Sequence, residues 1–166
     1  MRKFHSFAAF ADHLVQQAAQ EVVALHEGLE IVVRRIERDA KDEIGHYQAA
    51  AGSFPAWEEL ADSTELEKER LDYPLDAPLE RTLALQESIG REVGSLEGVV
   101  ASDSDVMVYQ ELGTERIPPR PVLGPAALRN EDLIKRVIGA AAITGVLGGA
   151  APMLLGGYDF KTEDNR

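Results

Sequence analysis

Apolar residues recur at intervals of three and four along the first third of the chain, from Phe7 to Tyr47. This spacing places them on one face of an α-helix. Ser6, just before the stretch, is a typical N-cap residue, and Gly52 lies where a glycine C-cap belongs. The pattern therefore predicts one long helix from Phe7 to about Ala51.

The length of this helix has a consequence for assembly. The 41 residues from Phe7 to Tyr47 would span about 60 Å, whereas a compact globule of this chain would measure roughly 40 Å across. Either the helix breaks, near Gly28, or another subunit covers its apolar stripe. We favour the second alternative, so the pattern predicts an oligomer.

The middle of the chain consists of short stretches that predict helices or strands, separated by loops and turns. Residues 52–80 predict a loop that contains a short helix over Glu58–Leu71, and a second short helix runs from Thr82 to Ser88. Two strands follow, Ile89–Ala101 and Val106–Leu112. The turn-forming residues between them, Ser-Asp-Ser-Asp, predict an antiparallel hairpin.

Four prolines in residues 114–125 predict a stiff extended arm, because each fixes φ and removes a backbone donor. A last helix should begin near Pro125 and run to Leu147, before a Gly-Gly pair. The order of elements predicts an α+β fold with a long N-terminal helix, an antiparallel hairpin or small sheet, the proline arm and a C-terminal helix. We assign residues 1–158 to one domain and 159–166 to a flexible polar tail.

Composition narrows the function. The chain has 166 residues, a net charge of −12 and no cysteine, which excludes disulfides and thiolate metal sites. The acidity is concentrated in residues 51–100, with 12 acidic and 4 basic side chains. Such a balance argues against a dominant role in binding DNA phosphates. Asp12 and His13 interrupt the first apolar stretch, which argues against a signal peptide.

Two short sequence motifs resemble metal-binding motifs, but each lacks some of the ligands that such a site needs. His26-Glu27-Gly28-Leu29-Glu30 is half of a zinc-protease helix, with Glu30 in the place of the second histidine. Glu43 and His46 have the spacing of one carboxylate–histidine pair of a di-iron bundle, but the second copy is missing. We predict no catalytic, cofactor-binding or metal-binding residue. A small acidic enzyme, acting through some unmarked pair of carboxylates, remains an alternative.

The uncharged run over residues 137–155 raises a second alternative, a membrane-anchored interaction protein. Spanning a bilayer takes about 20 apolar residues. This run is rich in alanine and glycine, so its transfer into lipid is weak. A helix whose small residues let neighbouring backbones pack closely is the favoured interpretation, and we expect no membrane contact.

The segment from Tyr109 to Ala126 is the most informative. A predicted strand ends at Gly113-Thr114, and the proline arm follows with one arginine and the apolar pair Val122-Leu123. The segment is either a rigid connector inside the domain or an arm that docks on a neighbour. In the second case Arg120 would be a bidentate anchor and the apolar pair would fill a partner's pocket.

These residues resemble a known family, the neck or tail-completion proteins of long-tailed bacteriophages and prophages. The resemblance covers roughly residues 10–147. It rests on a hallmark strand end and arm, and on a second block upstream. The strand end and arm comprise Tyr109, Glu111, Gly113, Thr114, Pro118, Arg120, Pro121, Leu123, Pro125 and Ala126. The upstream block comprises Trp57, Leu60, Thr64, Lys68, Pro78, Leu79, Arg81, Thr82, Ser88 and Ile89. Two positions depart from the family pattern: Leu83 replaces a glycine and Val122 replaces an aromatic residue.

The resemblance implies a structural virion protein without catalytic residues. Its subunits would form a six- or twelve-fold ring at the head–tail junction, in the virion after assembly in the host cytoplasm. Its partners would be portal-side adaptor proteins and tail tube or terminator proteins. DNA would pass through the lumen without sequence-specific binding, past an acidic wall. The expected subunit contacts are Tyr109, Glu111, Gly113, Thr114, Arg120, Pro121, Val122, Leu123 and Pro125.

Overall fold

The computed structural model describes residues 4–147, and of residues 144–147 the backbone alone. The α+β fold is confirmed: a long N-terminal helix, a two-stranded antiparallel sheet and a C-terminal helix are all present. The elements are α1 Phe7–Glu43, α2 Asp62–Arg70, α3 Ala84–Glu87, β1 Ile89–Val93, β2 Gly98–Ser102, α4 Asp105–Leu112, α5 Leu123–Arg129 and α6 Glu131–Leu147.

Helix α1 begins as the sequence predicts and ends earlier. The Ser6 Oγ accepts a hydrogen bond of 3.1 Å from the Ala9 N–H, which caps the first turn. The 37-residue helix is about 55 Å long. It ends at Glu43 because Ile44 turns into extended backbone and is buried, and Gly45 follows with a φ of +91°. Thus the predicted end near Ala51 is wrong, and Gly45 rather than Gly52 follows the helix.

Helix α1 does not break at Gly28, because α6 packs against it there. A Cβ built on Gly28 would lie 3.2 Å from Val137 Cγ1 and 3.5 Å from Ala141 Cβ. Asn130, just before α6, donates a hydrogen bond to Asp39 near the other end of α1. The two helices are therefore antiparallel. All seven buried residues of α1 lie between Gly28 and Glu43, so the chain itself covers this half of the stripe.

The hairpin is present, but its position differs from the prediction. Strand β1 and all of β2 except Ser102 lie within the single strand predicted over Ile89–Ala101, and the two strands pair from Ile89 with Ser102 to Val93 with Gly98. The turn falls between the two glycines, where the Gly94 N–H donates to the Glu97 carbonyl at 2.7 Å. The predicted second strand, Val106–Leu112, is wrong: it belongs to α4, which buries only Met107.

The C-terminal part contains two helices where the sequence predicts one. Helix α5 begins at Leu123, and Pro125 lies in its first turn, where no intrahelical N–H is needed. Asn130 separates α5 from α6, and its side chain donates to Asp39 and to the Ala126 carbonyl. The short helices predicted over Glu58–Leu71 and Thr82–Ser88 are present in shorter form, as α2 and α3. The predicted Gly-Gly helix end and the tail lie outside the described residues.

The core lies where the second half of α1 meets the hairpin, the arm, α5 and α6. Its buried apolar residues are Val32, Ile36, Ala40, Ile44, Trp57, Leu85, Ile89, Met107, Val122, Ala126 and Val137. Every element except α2 contributes to this cluster or to its neighbours. Since α1 enters the core only from Gly28 onward, the first half of the helix stands apart from it.

Candidate functional site: the proline arm and the surfaces around it

The Gly-Thr pair reverses the chain at the end of α4. Gly113 has a φ of +71°, and a Cβ there would lie 3.0 Å from the Ile117 carbonyl oxygen and from the Pro119 ring. The Thr114 N–H donates to Ile117 O at 2.9 Å, while its Oγ1 accepts from the N–H groups of Arg116 and Ile117. Only glycine suits this position, and the threonine closes the turn behind it.

Glu111 joins the end of α4 to the start of α5. Its Oε1 accepts hydrogen bonds from the backbone N–H groups of Val122 (2.8 Å) and Leu123 (2.6 Å). These are donors at the N-terminus of a helix, where a carboxylate is favoured by hydrogen bonding and by the helix dipole. The Arg120 N–H also donates to Gln110 O at 2.6 Å. The arm therefore runs back along α4.

The two sequence blocks that carry the family resemblance meet in space. The Trp57 Nε1–H donates to Pro121 O at 3.1 Å. The Arg120 Nη2 donates to the carbonyl oxygens of Glu58 (3.0 Å) and Glu59 (3.3 Å). The residues of the two sequence blocks thus contact each other within one chain, and the arm packs between the Trp57 segment and α4.

Two of the predicted subunit contacts, Arg120 and Val122, contact their own chain. Arg120 is 6% exposed and Val122 is fully buried, so both side chains are used within their own chain. Pro121 and Pro125 are also buried, and Leu123 packs against the core. The physical reason is that this apolar arm completes the core. Glu111 and Gly113 are partly buried, and of the predicted contacts only Tyr109 and Thr114 are exposed.

Two exposed apolar surfaces remain available. The first, which we call the open half of α1, spans residues 7–27, none of which is fully buried. Its exposed large apolar residues are Phe7, Phe10, Leu14, Val15, Val22 and Val23. At its tip the rings of Phe4 and Phe7 both contact Phe10, and Phe7 is 85% exposed. This surface corresponds to the apolar stripe seen in the sequence.

The second surface is the outer face of α4. Val106, Val108, Tyr109 and Leu112 are each more than half exposed, with Leu112 at 78%. Exposed apolar side chains grouped on one face are typical of an interaction surface. This face is not expected from the sequence, which predicts a strand over the segment. The signal that could have found it is Ser104-Asp105, a favourable helix start.

A cavity of about 410 Å³ separates the arm from the acidic segment. Lys68, Gln110 and Arg120 line it, together with apolar residues of α3, α4 and the arm. Burial lowers the pKa of Lys68, whose Nζ donates to Ala77 O at 2.6 Å. Lys68 and Arg120 both belong to the sequence blocks that carry the resemblance, but no pattern in the sequence indicates that they line one cavity.

The carboxylate–histidine strings are not brought together as metal sites. Glu43 is buried and pairs with Arg129, whereas His46 is exposed. Burial raises the pKa of Glu43 to about 7 in spite of Arg129. The His26 Nδ1 lies 2.9 Å from Gly94 O. Between residues 4 and 147 no group of three or more histidine, aspartate or glutamate side chains is placed to hold a metal ion.

The acidic segment, residues 58–80, carries nine acidic and two basic side chains. Most of its carboxylates lie at the surface, and Glu67 pairs with Arg81 at 2.9 Å.

Among the described helices none has the length and apolar character needed to cross a membrane. No protein-family model, curated protein or solved structure matches the chain.

Proposed function

We propose that this chain is a structural subunit of the head–tail junction of a long-tailed bacteriophage or prophage. In this proposal identical copies form a six- or twelve-fold ring through which DNA passes. The observation that carries it is the open half of α1: 21 residues with six large exposed apolar side chains and no fully buried residue. Contiguous exposed apolar surface of this kind marks an interaction site.

A closed ring needs two different surfaces on each subunit, because its contacts run head to tail. The chain offers two such surfaces, the open half of α1 and the outer face of α4. They replace the arm as the proposed subunit contacts. Tyr109 stays in the proposal and Leu112 joins it, since both lie on α4 and are more than half exposed.

The charge distribution supports the passage of DNA without binding. The acidic segment has a surplus of seven negative charges and exposes most of them. A lumen lined by such a surface repels phosphates and keeps a sliding duplex from adhering. The resemblance to neck and tail-completion proteins supplies the particular assembly.

The proposal is tested by measuring the oligomeric state of the purified chain. We expect light scattering and negative-stain microscopy to show closed rings for the native sequence. Leu14→Asp and Val22→Asp, which change exposed side chains, should give folded monomers with unchanged circular dichroism. Gln20→Asp, also exposed on α1 but polar, is the matched control and should still assemble. A native chain that stays monomeric at high concentration, or variants that still form rings, would contradict the proposal.

A further inference from the structure

The open half of α1 prolongs the face that α6 covers further along the helix. A Cβ on Gly28 would lie 3.2 Å from the nearest side chain of α6. Leu25, Leu14, Phe10 and Phe7 lie within about 60° of Gly28 around the helix, so they share its face. Leu25 is partly buried, whereas Leu14 is 47% exposed and Phe7 is 85% exposed. The cover on this face therefore runs out toward the N-terminus.

Helix α6 ends before it reaches this apolar end of the face. It runs antiparallel to α1, with Ala141 beside Gly28, and its last described residue, Leu147, lies six positions further on. Since both helices rise about 1.5 Å per residue, Leu147 lies opposite about residue 22 of α1. Roughly 20 Å of the face, from there to Phe7, has no cover from α6.

The chain continues beyond Leu147 with a segment whose composition suits this face. Residues 148–158 carry no charged side chain and include Met153, Leu154, Leu155 and Tyr158. At about 3.3 Å per residue, roughly six extended residues span 20 Å. The segment therefore has the length to reach Phe7 and the apolar side chains to cover the face.

The residues that flank the two partners also agree in charge. Helix α1 has no acidic residue in its first turn, and Arg2 and Lys3 precede it. Residues 159–166, which follow the apolar segment, hold three acidic and two basic side chains. Negative charge is favoured at the N-terminus of a helix, so a segment that runs along α1 toward Phe7 carries its net negative end to a favourable place.

A segment attached to α6 has an advantage over any free partner. Its attachment point lies roughly 20 Å or less from every residue of the uncovered face, and a short flexible tether gives an effective concentration in the millimolar range. The apolar side chains that it buries contribute to binding without a further loss of translational freedom. The chain's own segment is therefore the favoured occupant while the subunit is free.

We propose that residues 148–158 cover the apolar face of the open half of α1 in the free subunit, with Leu154 and Leu155 against Leu14 and Phe10. The contact itself does not require a ring. Its consequence rests on the proposed function: the segment occupies a subunit contact, so a neighbouring copy has to displace it. Competition of this kind raises the protein concentration at which rings form.

The contact is tested in the full chain with a spin label. The chain has no cysteine, so Asp159→Cys provides a single attachment point just after the segment. The protein is kept at a concentration at which light scattering shows single subunits. We expect the label to broaden the amide NMR signals of Phe7, Phe10 and Leu14, and to leave that of Arg38, near the other end of α1, unchanged.

Two variants of the labelled chain show whether apolar packing holds the segment. Leu154→Asp places a charge in the contact and should remove the broadening. Asn165→Asp adds the same charge outside the segment, so it is the matched control and should keep the broadening. Both variants should have the circular dichroism of the native chain, because neither residue belongs to the core.

Ring formation is measured separately, by light scattering over a dilution series. Leu154→Asp should assemble at a concentration at least about tenfold lower than the native chain, because the face is no longer covered. Asn165→Asp should assemble as the native chain does. An unchanged assembly concentration for Leu154→Asp would contradict the restraint on assembly.

The outcomes separate this proposal from the proposed function. No broadening in the native chain, or broadening that survives Leu154→Asp, would overturn the contact. Broadening that requires the spin label and the observed amides to be on different molecules would overturn it too, since a second copy would then be the occupant. A native chain that shows the broadening within one molecule but forms no ring at any concentration would contradict the proposed function and leave the contact standing.

Discussion

Glu111 offers the sharpest test of whether the hallmark residues build the fold or contact a neighbour. Its carboxylate accepts two backbone hydrogen bonds, of 2.8 and 2.6 Å, at the start of α5. Glu111→Ala removes both and leaves two N–H groups without their acceptor. A hydrogen bond to a charged group contributes about 1.5–3 kcal/mol, and two that share one oxygen are not fully additive. We therefore expect a loss of about 3 kcal/mol in the free energy of unfolding.

The assay is urea unfolding followed by the fluorescence of Trp57, the single tryptophan, which is hydrogen-bonded to the arm. A loss of about 3 kcal/mol also lowers Tm by roughly 6–12 °C for a domain of this size. Glu115→Ala, an exposed acid in the same turn, is the control and should change stability by less than about 0.5 kcal/mol.

Repeating the Glu111 measurement over a range of protein concentrations separates the two roles. If Glu111 caps α5 in its own chain, Glu111→Ala should lower the free energy of unfolding by the same amount at every protein concentration. If Glu111 is a subunit contact, the effect of the substitution should change with protein concentration. A loss below about 1 kcal/mol, or one that appears only where the native chain is assembled, would refute the assignment of Glu111 to the fold of its own chain.

Two further predictions concern stability. Burial raises the pKa of Glu43 from its ordinary 4.5 to about 7 in the folded chain. The folded chain therefore favours the protonated carboxyl, and its free energy of unfolding should fall by about 3 kcal/mol as pH rises from about 4.5 to 7. Glu43→Gln has no carboxyl to ionise and should not show this fall. Urea unfolding of both proteins across this range should show their difference growing with pH; a constant difference would contradict the assignment. Gly98→Ala should cost about 1–3 kcal/mol, because its Cβ would lie 2.5 Å from Val33 Cγ1. A Cβ on Gly90, on the paired strand, meets nothing within 4 Å, so Gly90→Ala should not destabilise the fold. Equal changes in Tm for the two variants would argue against the packing of Gly98 on Val33.

Local signals predicted the elements well where they agreed with one another. Ser6 and the apolar spacing after it place the start of α1 correctly, and the two glycines that seemed to interrupt a strand are the turn region of the hairpin. Helix α4 was missed because Val106, Val108 and Tyr109 favour strands by their side-chain shape. The helix is stable because Met107 is buried and Glu111 holds the arm beside it.

The site was harder to predict than the fold, because sequence does not show which chain a residue will contact. An arginine and an apolar pair in a proline-rich arm suit an intermolecular anchor as well as an internal one. In the structure Arg120 donates hydrogen bonds to the Glu58 and Glu59 carbonyls of its own chain, which favours the internal role. The cavity joins Lys68 and Gln110, which are 42 positions apart, and no local pattern links them.

The continuity of α1 couples its two halves mechanically. The buried half lies against α6 with almost no space at Gly28, and the free tip is about 31 Å away along the same rigid rod. A change of about 10° in the crossing of the two helices would swing that tip by about 5 Å. In the proposed ring, core substitutions at this crossing would therefore alter the curvature at which successive copies meet, and hence the diameter of that ring, without touching any residue of the proposed interface.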